Sequence, residues 1–127
     1  MTVELFRVIL PVSDIPRAIE FYGELLALTP SRVGDKRYYF QAGHTILACL
    51  DPSEHDEPFA PNPQHLYFAV DDLDAFYDRA QRAGCAELEK ISVRPWGERS
   101  FYARDPFGNR ICFVASETRY TGPAPPR

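Results

Sequence analysis

Arg7-Val8-Ile9-Leu10-Pro11-Val12-Ser13-Asp14-Ile15 and His65-Leu66-Tyr67-Phe68-Ala69-Val70-Asp71-Asp72-Leu73 lie over each other, offset by about half the chain. A second pair, Gly43-His44-Thr45-Ile46-Leu47 and Gly108-Asn109-Arg110-Ile111-Cys112, follows the same offset. Self-similarity at a fixed period marks a duplicated structural unit. Each copy reads as a strand, a helix and then further strands. The fold class is therefore α+β: two βαβββ repeats, residues 3–50 and 64–116, forming a curved mixed sheet with an open cleft and helices on the outer face.

The chain has 127 residues, 45% hydrophobic and 25% charged, which is ordinary globular composition. Half-size copies of roughly 60 residues are marginal alone, so the repeats are expected to share buried surface in a single domain spanning 1–127. A net charge of −4 argues against nucleic acid or an anionic membrane as the main partner, because both call for a basic face. Cys49, Cys85 and Cys112 are widely spaced and odd in number, which suits buried thiols in a reducing compartment better than a disulfide framework. No apolar stretch approaches the roughly 20 residues that span a bilayer, and Met1-Thr2-Val3-Glu4 lacks the basic start of a signal peptide. A cytoplasmic location is the expectation.

Within the first repeat, Leu5 to Val12 reads as a strand, and Ser13 or Asp14 can cap the helix that follows, with Pro16 tolerated in its first turn. Ile15, Ala18, Ile19, Tyr22 and Leu25 make its apolar stripe. Thr29 to Val33, Arg37 to Gln41 and Thr45 to Leu50 read as short strands. Residues 51–63 carry Pro52, Pro58, Pro61, Pro63 and several acids without periodicity, so they form the linker, long enough to be functional or mobile. In the second repeat, Asp71 or Asp72 caps a helix with the stripe Leu73, Phe76, Tyr77 and Ala80, stopped at Gly84. Strands are expected at Ala86 to Ile91, Ser100 to Arg104 and Arg110 to Ala115. The Pro-rich end, 120–127, is expected to be disordered.

Side chains alternate along a strand, so facing follows from sequence. With Phe6, Val8 and Leu10 toward the first helix, Arg7 and Ile9 face away; with Leu66, Phe68 and Val70 toward the second, His65 and Tyr67 face away. In the last strands, Ile46, Ala48, Ile111 and Phe113 are read as helix-facing. Leu47, Cys49, Cys112 and Val114 are then placed with Arg7 and His65 on the side away from the helices. An apolar concave face with a few polar groups suits a small-molecule cleft.

Val12 through Tyr22, His65 through Leu73 and Trp96 through Asn109 resemble the vicinal oxygen chelate superfamily, which holds glyoxalase I, extradiol dioxygenases, fosfomycin-resistance enzymes and bleomycin-resistance proteins. The resemblance covers nearly all of residues 3–116. It implies that a divalent metal, where a member has one, is held by the first and last strands of each repeat. Those places hold Arg7, Leu47, His65 and Cys112 here. Arg7 is a permanent cation that only donates, and Leu47 has no donor atom, so no metal is expected there. A displaced set of His44, His55 and His65 is a weaker option.

The resemblance thereby leans toward the bleomycin-resistance branch: homodimers that sequester a flat antibiotic without chemistry or cofactor. Ligand-binding candidates are Arg7, Leu47, His65, Tyr67, Trp96, Tyr102 and Cys112, with Trp96 able to present its indole to a flat ligand. A guanidinium favours a carboxylate or phosphate over a cationic drug, so Arg7 either pairs with an internal acid such as Glu4, Glu98 or Asp105, or meets an anionic ligand. The alternative is an enzyme: a metal-dependent glyoxalase or dioxygenase relative, or a metal-free lyase or isomerase with His65 as base and Arg7 stabilising negative charge. A small-molecule ligand and a second copy of the chain are the expected partners; nucleic acid and membrane are not.

Overall fold

The computed structural model describes residues 1–122. The first repeat consists of β1 (Arg7–Pro11), α1 (Ile15–Leu26), β2 (Ser31–Gly34), β3 (Arg37–Ala42) and β4 (Thr45–Leu50). The second consists of β5 (Leu66–Val70), α2 (Leu73–Ala83), β6 (Ser92–Val93), β7 (Arg99–Arg104) and β8 (Arg110–Ala115). Each repeat makes a four-stranded mixed sheet of the same order, β1-β4-β3-β2 and β5-β8-β7-β6. The parallel pairs β1·β4 and β5·β8 leave β1 and β5 as sheet edges. The disorder expected of 120–127 concerns, for 123–127, residues outside those described; Tyr120 itself is held by its amide donating to Glu98 Oε2 at 2.8 Å.

Local chemistry explains both helices. Asp14 Oδ1 accepts from the Arg17 amide and Asp72 Oδ1 from the Ala75 amide, each at 3.1 Å, satisfying amides that have no partner inside the helix. Of the paired candidates Ser13 or Asp14 and Asp71 or Asp72, the later residue is the cap each time. Gly84, at φ +80, ends α2 in a left-handed conformation that a Cβ would strain.

Phe21, Tyr22 and Leu25 of α1 are buried against Leu10, Phe40, Leu47 and Cys49. In the second repeat Phe101, Phe113 and Phe68 stack in succession, with centroids 5.2 and 5.1 Å apart, and Phe76 of α2 lies 5.8 Å from Phe113. All belong to one cluster to which both repeats contribute, and α1 packs on α2. A buried polar knot joins the halves. The Tyr22 hydroxyl donates to Asp105 Oδ2 at 2.5 Å, and Asn109 Nδ2 reaches both Asp105 Oδ2 at 2.9 Å and the Pro11 carbonyl at 2.7 Å.

Two sequence expectations are corrected. Register pairs Val8 with Leu47 and Leu10 with Cys49, so Leu47 and Cys49 face α1 while Ile46 and Ala48 share the opposite face with Arg7 and Ile9. The second repeat keeps the expected facing: Leu66 pairs with Ile111, and Tyr67 with Cys112. The difference lies in the turns. Ala42 pairs with Thr45 across a two-residue turn, whereas Arg104 pairs with Arg110 across Asp105 to Asn109, so aligning Gly43 with Gly108 shifts β4 by one residue. Second, Ala86 to Ile91 is not a strand. Only Ala86 bridges to Arg104, Glu87 sits at φ +48, and the ladder resumes at Ser92–Val93.

The linker is also anchored. Asp51 caps a 3-10 turn at Pro52–His55 by accepting from the Ser53 amide, and Asn62 donates to Asn109 Oδ1 and the Ile9 carbonyl.

Candidate functional site

The faces turned from the helices differ in chemistry. On the first sheet, Arg7 Nη1 donates to the Tyr39 hydroxyl at 3.0 Å and Arg37 Nη1 donates to the same oxygen at 2.9 Å. Arg37 also meets Glu54 at 3.3 Å. The Arg7 guanidinium lies over the Phe6 and Tyr39 rings, 5.2 and 5.5 Å from their centroids. Its acid partner is therefore none of Glu4, Glu98 or Asp105; a phenol and a ring face receive it.

On the second sheet, the Tyr67–Cys112–Tyr102 row crosses β5, β8 and β7 in register. Tyr67 and Tyr102 stand edge to face with centroids 6.4 Å apart, and His65 lies 4.8 Å from Tyr102 in the same manner. Tyr67 is 59% exposed, so its ring is offered to solvent. Cys112 is buried between them. Arg94 covers Tyr102 at 4.5 Å and is fixed there by donating to Ser100 Oγ at 2.8 Å. Trp96, in the turn between β6 and β7, is 60% exposed and donates to Glu98 Oε1 at 2.8 Å.

Burial pushes the Tyr102 hydroxyl up to about 12, with the neighbouring Tyr67 adding to the effect, and pushes the Cys112 thiol up to about 11. At neutral pH both are protonated and Cys112 is a poor nucleophile. Burial also lowers the pKa of His65, followed by the positive charge of Arg110; Glu89 opposes and Arg104 reinforces. A neutral imidazole beside two guanidinium groups results.

Of the seven residues singled out in sequence, the structure gathers His65, Tyr67, Tyr102 and Cys112 on one face, with Trp96 at the end of the same sheet. Arg7 stands on the other sheet, and Leu47 lies on the helix side, where it is 2% exposed. Arg94, Arg104 and Arg110 escaped notice. The signal was available for two of them, since Arg104 and Arg110 stand two residues from Tyr102 and Cys112 and so project the same way.

The donors do not fit a divalent ion at the superfamily's metal position. The counterpart of Cys112 is Ala48, paired with Ile9 as Cys112 is with Tyr67, and it has no donor atom either. Arg7 contributes a fixed positive charge, and the Cys112 thiol holds its proton. Among the described residues no three His, Cys, Asp or Glu side chains are grouped to hold an ion, which also disposes of the set His44, His55 and His65.

A βαβββ duplication with this strand order and an open face on each sheet defines the class. Residues 4–113 match the family profile described as Glyoxalase/Bleomycin resistance protein/Dioxygenase superfamily, and the chain belongs to that superfamily. It is 35% identical over 105 residues to the metallothiol transferase FosB of Shouchella clausii, covering 79% of this chain and 71% of that protein. Among solved structures it is similar to a glyoxalase/bleomycin resistance protein from Albidiferax ferrireducens, at 26% identity and TM-score 0.73 over 86% of this chain and 95% of that one. The lactoylglutathione lyase of Agrobacterium tumefaciens shares the fold at 24% identity and TM-score 0.72 over 91% and 96% of the two chains. Among the described residues no helix is long and apolar enough to cross a membrane.

Proposed function

We propose that this protein binds a small, flat aromatic molecule on the open face of the second sheet without a metal ion, as a sequestering protein of the bleomycin-resistance type. The observation that carries the reading is the Tyr67–Tyr102 pair, one ring open to solvent, in a site whose metal positions hold Arg7, Ala48, His65 and Cys112. Rings at this spacing accept a third ring edge to face or stacked. The fixed Arg94 lies over Tyr102 on the same surface. Tolerance to an antibiotic is the biological role this reading entails, and a cytoplasmic homodimer is the expected form. The apolar groove of about 640 Å³ between the edge strands, lined by Val8, Leu47, Leu66 and Phe68, supports an assembly that covers those edges.

A second reading draws on the FosB relative, a metallothiol transferase: this chain carries out a metal-dependent transfer. The metal-free lyase reading loses its pairing, because Arg7 is engaged by Tyr39 and the cations that act on His65 are Arg110 and Arg104.

Elemental analysis of protein purified without chelator, followed by thermal-shift screening of flat aromatic compounds with and without EDTA, tests the proposal. Stabilisation by an aromatic compound that EDTA leaves unchanged is expected. Stoichiometric metal, with stabilisation lost on chelation, would establish the transferase reading instead.

A further inference from the structure

His65, Arg104 and Arg110 form a second row on the open face, one step outward from Tyr67, Cys112 and Tyr102. Arg104 pairs directly with Arg110 across β7 and β8, and His65 precedes Leu66, the partner of Ile111, which places it beside Arg110 on the parallel side. Like charges directly opposite in a sheet repel. Arg104 is relieved by an ion pair with Glu87 and a 3.3 Å hydrogen bond to the Gly108 carbonyl. Arg110 has neither an ion pair nor a side-chain hydrogen bond among the described residues. The row lines a cleft of about 520 Å³ whose lining also includes Tyr102, Glu87 and Glu89.

Resting on the binding reading above, we infer that this cleft is a carboxylate subsite: Arg110 and His65 take the acid group of a ligand whose aromatic ring lies on Tyr67 and Tyr102. The guanidinium presents parallel N–H donors that match a carboxylate bidentately, and neutral His65 adds one further donor. Charge selects the class. Arg104 is matched by Glu87, which leaves Arg110 as the one guanidinium of the row without an ion pair among the described residues, while Glu87 and Glu89 on the cleft lining disfavour a doubly charged anion. A monocarboxylate fits where a phosphate dianion does not. The edge-to-face contact of His65 with Tyr102, at 4.8 Å, places the acid subsite next to the ring subsite, so one small ligand can carry both groups.

Calorimetry and amide chemical-shift mapping of the full chain with sodium benzoate, benzamide, sodium formate and inorganic phosphate tests this, using the wild type, Arg110→Gln, Arg110→Lys and the α2 surface control Arg82→Gln. Benzoate is expected to bind at least tenfold more tightly than benzamide or phosphate. Arg110→Gln should bring benzoate to the level of benzamide, Arg110→Lys should restore part of the difference, and Arg82→Gln should change nothing. Equal binding of benzoate and benzamide, unaffected by Arg110→Gln, overturns the carboxylate subsite and leaves the aromatic reading standing. Formate shifts at His65 and Arg110 with no binding of either ring compound uphold the subsite and overturn the aromatic reading. No response to any probe overturns both.

Discussion

Replacing Tyr22 by Phe removes one oxygen from the knot that joins the repeats and leaves the packing around it in place. Tyr22 is fully buried, and its ring stands edge to face with Phe21 at 4.9 Å, a contact Phe keeps. What is lost is the 2.5 Å hydrogen bond to Asp105, while Asp105 retains the Phe107 amide at 2.9 Å and both Asn109 donors at 2.8 and 2.9 Å. A hydrogen bond to a carboxylate contributes about 1.5–3 kcal/mol, so the variant should lose about 2 kcal/mol. Asp105→Ala removes the acceptor of all four bonds and strands the Tyr22 hydroxyl and buried Asn109 donors. Since an unsatisfied buried donor costs about 1–3 kcal/mol, that variant should lose roughly 4 kcal/mol or more. Urea unfolding at pH 7, followed by circular dichroism, measures both. The denaturant dependence should stay unchanged, because the repeats still unfold together. A Tyr22→Phe loss below about 0.5 kcal/mol, or an Asp105→Ala loss no larger than that of Tyr22→Phe, refutes the knot as a joint between the halves.

Burial, and then the Asp105 carboxylate, raise the Tyr22 pKa well above its ordinary value of 10. Its contribution is therefore complete below about pH 10 and is lost as the pH rises from there toward the folded pKa; the urea midpoint should fall more steeply from pH 9 to 11 in the wild type than in Tyr22→Phe, and equal slopes contradict this. Burial and Arg110 hold His65 below 6.5, so the unfolded chain takes the proton first and stability declines as the pH drops below about 6.5. Arg110→Gln should raise the His65 midpoint in an NMR titration, and an unchanged or lower midpoint counts against the placement of Arg110. Leu47→Ala should cost about 2–4 kcal/mol in urea unfolding because Leu47 lies in the core, whereas Ile46→Ala on the opposite, half-buried side should cost clearly less. Equal losses would reverse the register of β4.

Most of the architecture was legible because the duplicated strand-and-helix stretches carry strong periodicity and capping aspartates. The facing of β5 and β8 was read correctly for the same reason. β4 was misread because Ile46, Leu47, Ala48 and Cys49 are all apolar, so nothing in their own pattern fixes which alternate set is inward. Only the turn length decides it, and Gly43 and Gly108 occupy different places in their turns. Gly108 follows Asp105-Pro106-Phe107 at φ +87, while Gly43 opens a two-residue turn. The site was legible where aromatic and histidine side chains stand alone among apolar strand residues, as His65, Tyr67 and Tyr102 do. Arg104 and Arg110 passed unnoticed because arginines flanking a turn look like ordinary surface charge until cross-strand pairing sets them on one row. The Tyr22–Asp105–Asn109 knot was invisible for a related reason: its members belong to different repeats, and no local pattern links them.

The double engagement of the Tyr39 hydroxyl has a consequence for how the two halves have come to differ. A phenol oxygen has two lone pairs, and Arg7 and Arg37 use both, with Glu54 neutralising the outer guanidinium. The guanidinium groups of Arg7 and Arg37 are thus spent on neighbours within the amino-terminal half. Its sister keeps an unmatched guanidinium and an open ring. Two walls built on one plan therefore differ in what they leave free: on one, the guanidinium groups are closed off by a phenol and a carboxylate, and on the other a guanidinium and a ring stay open.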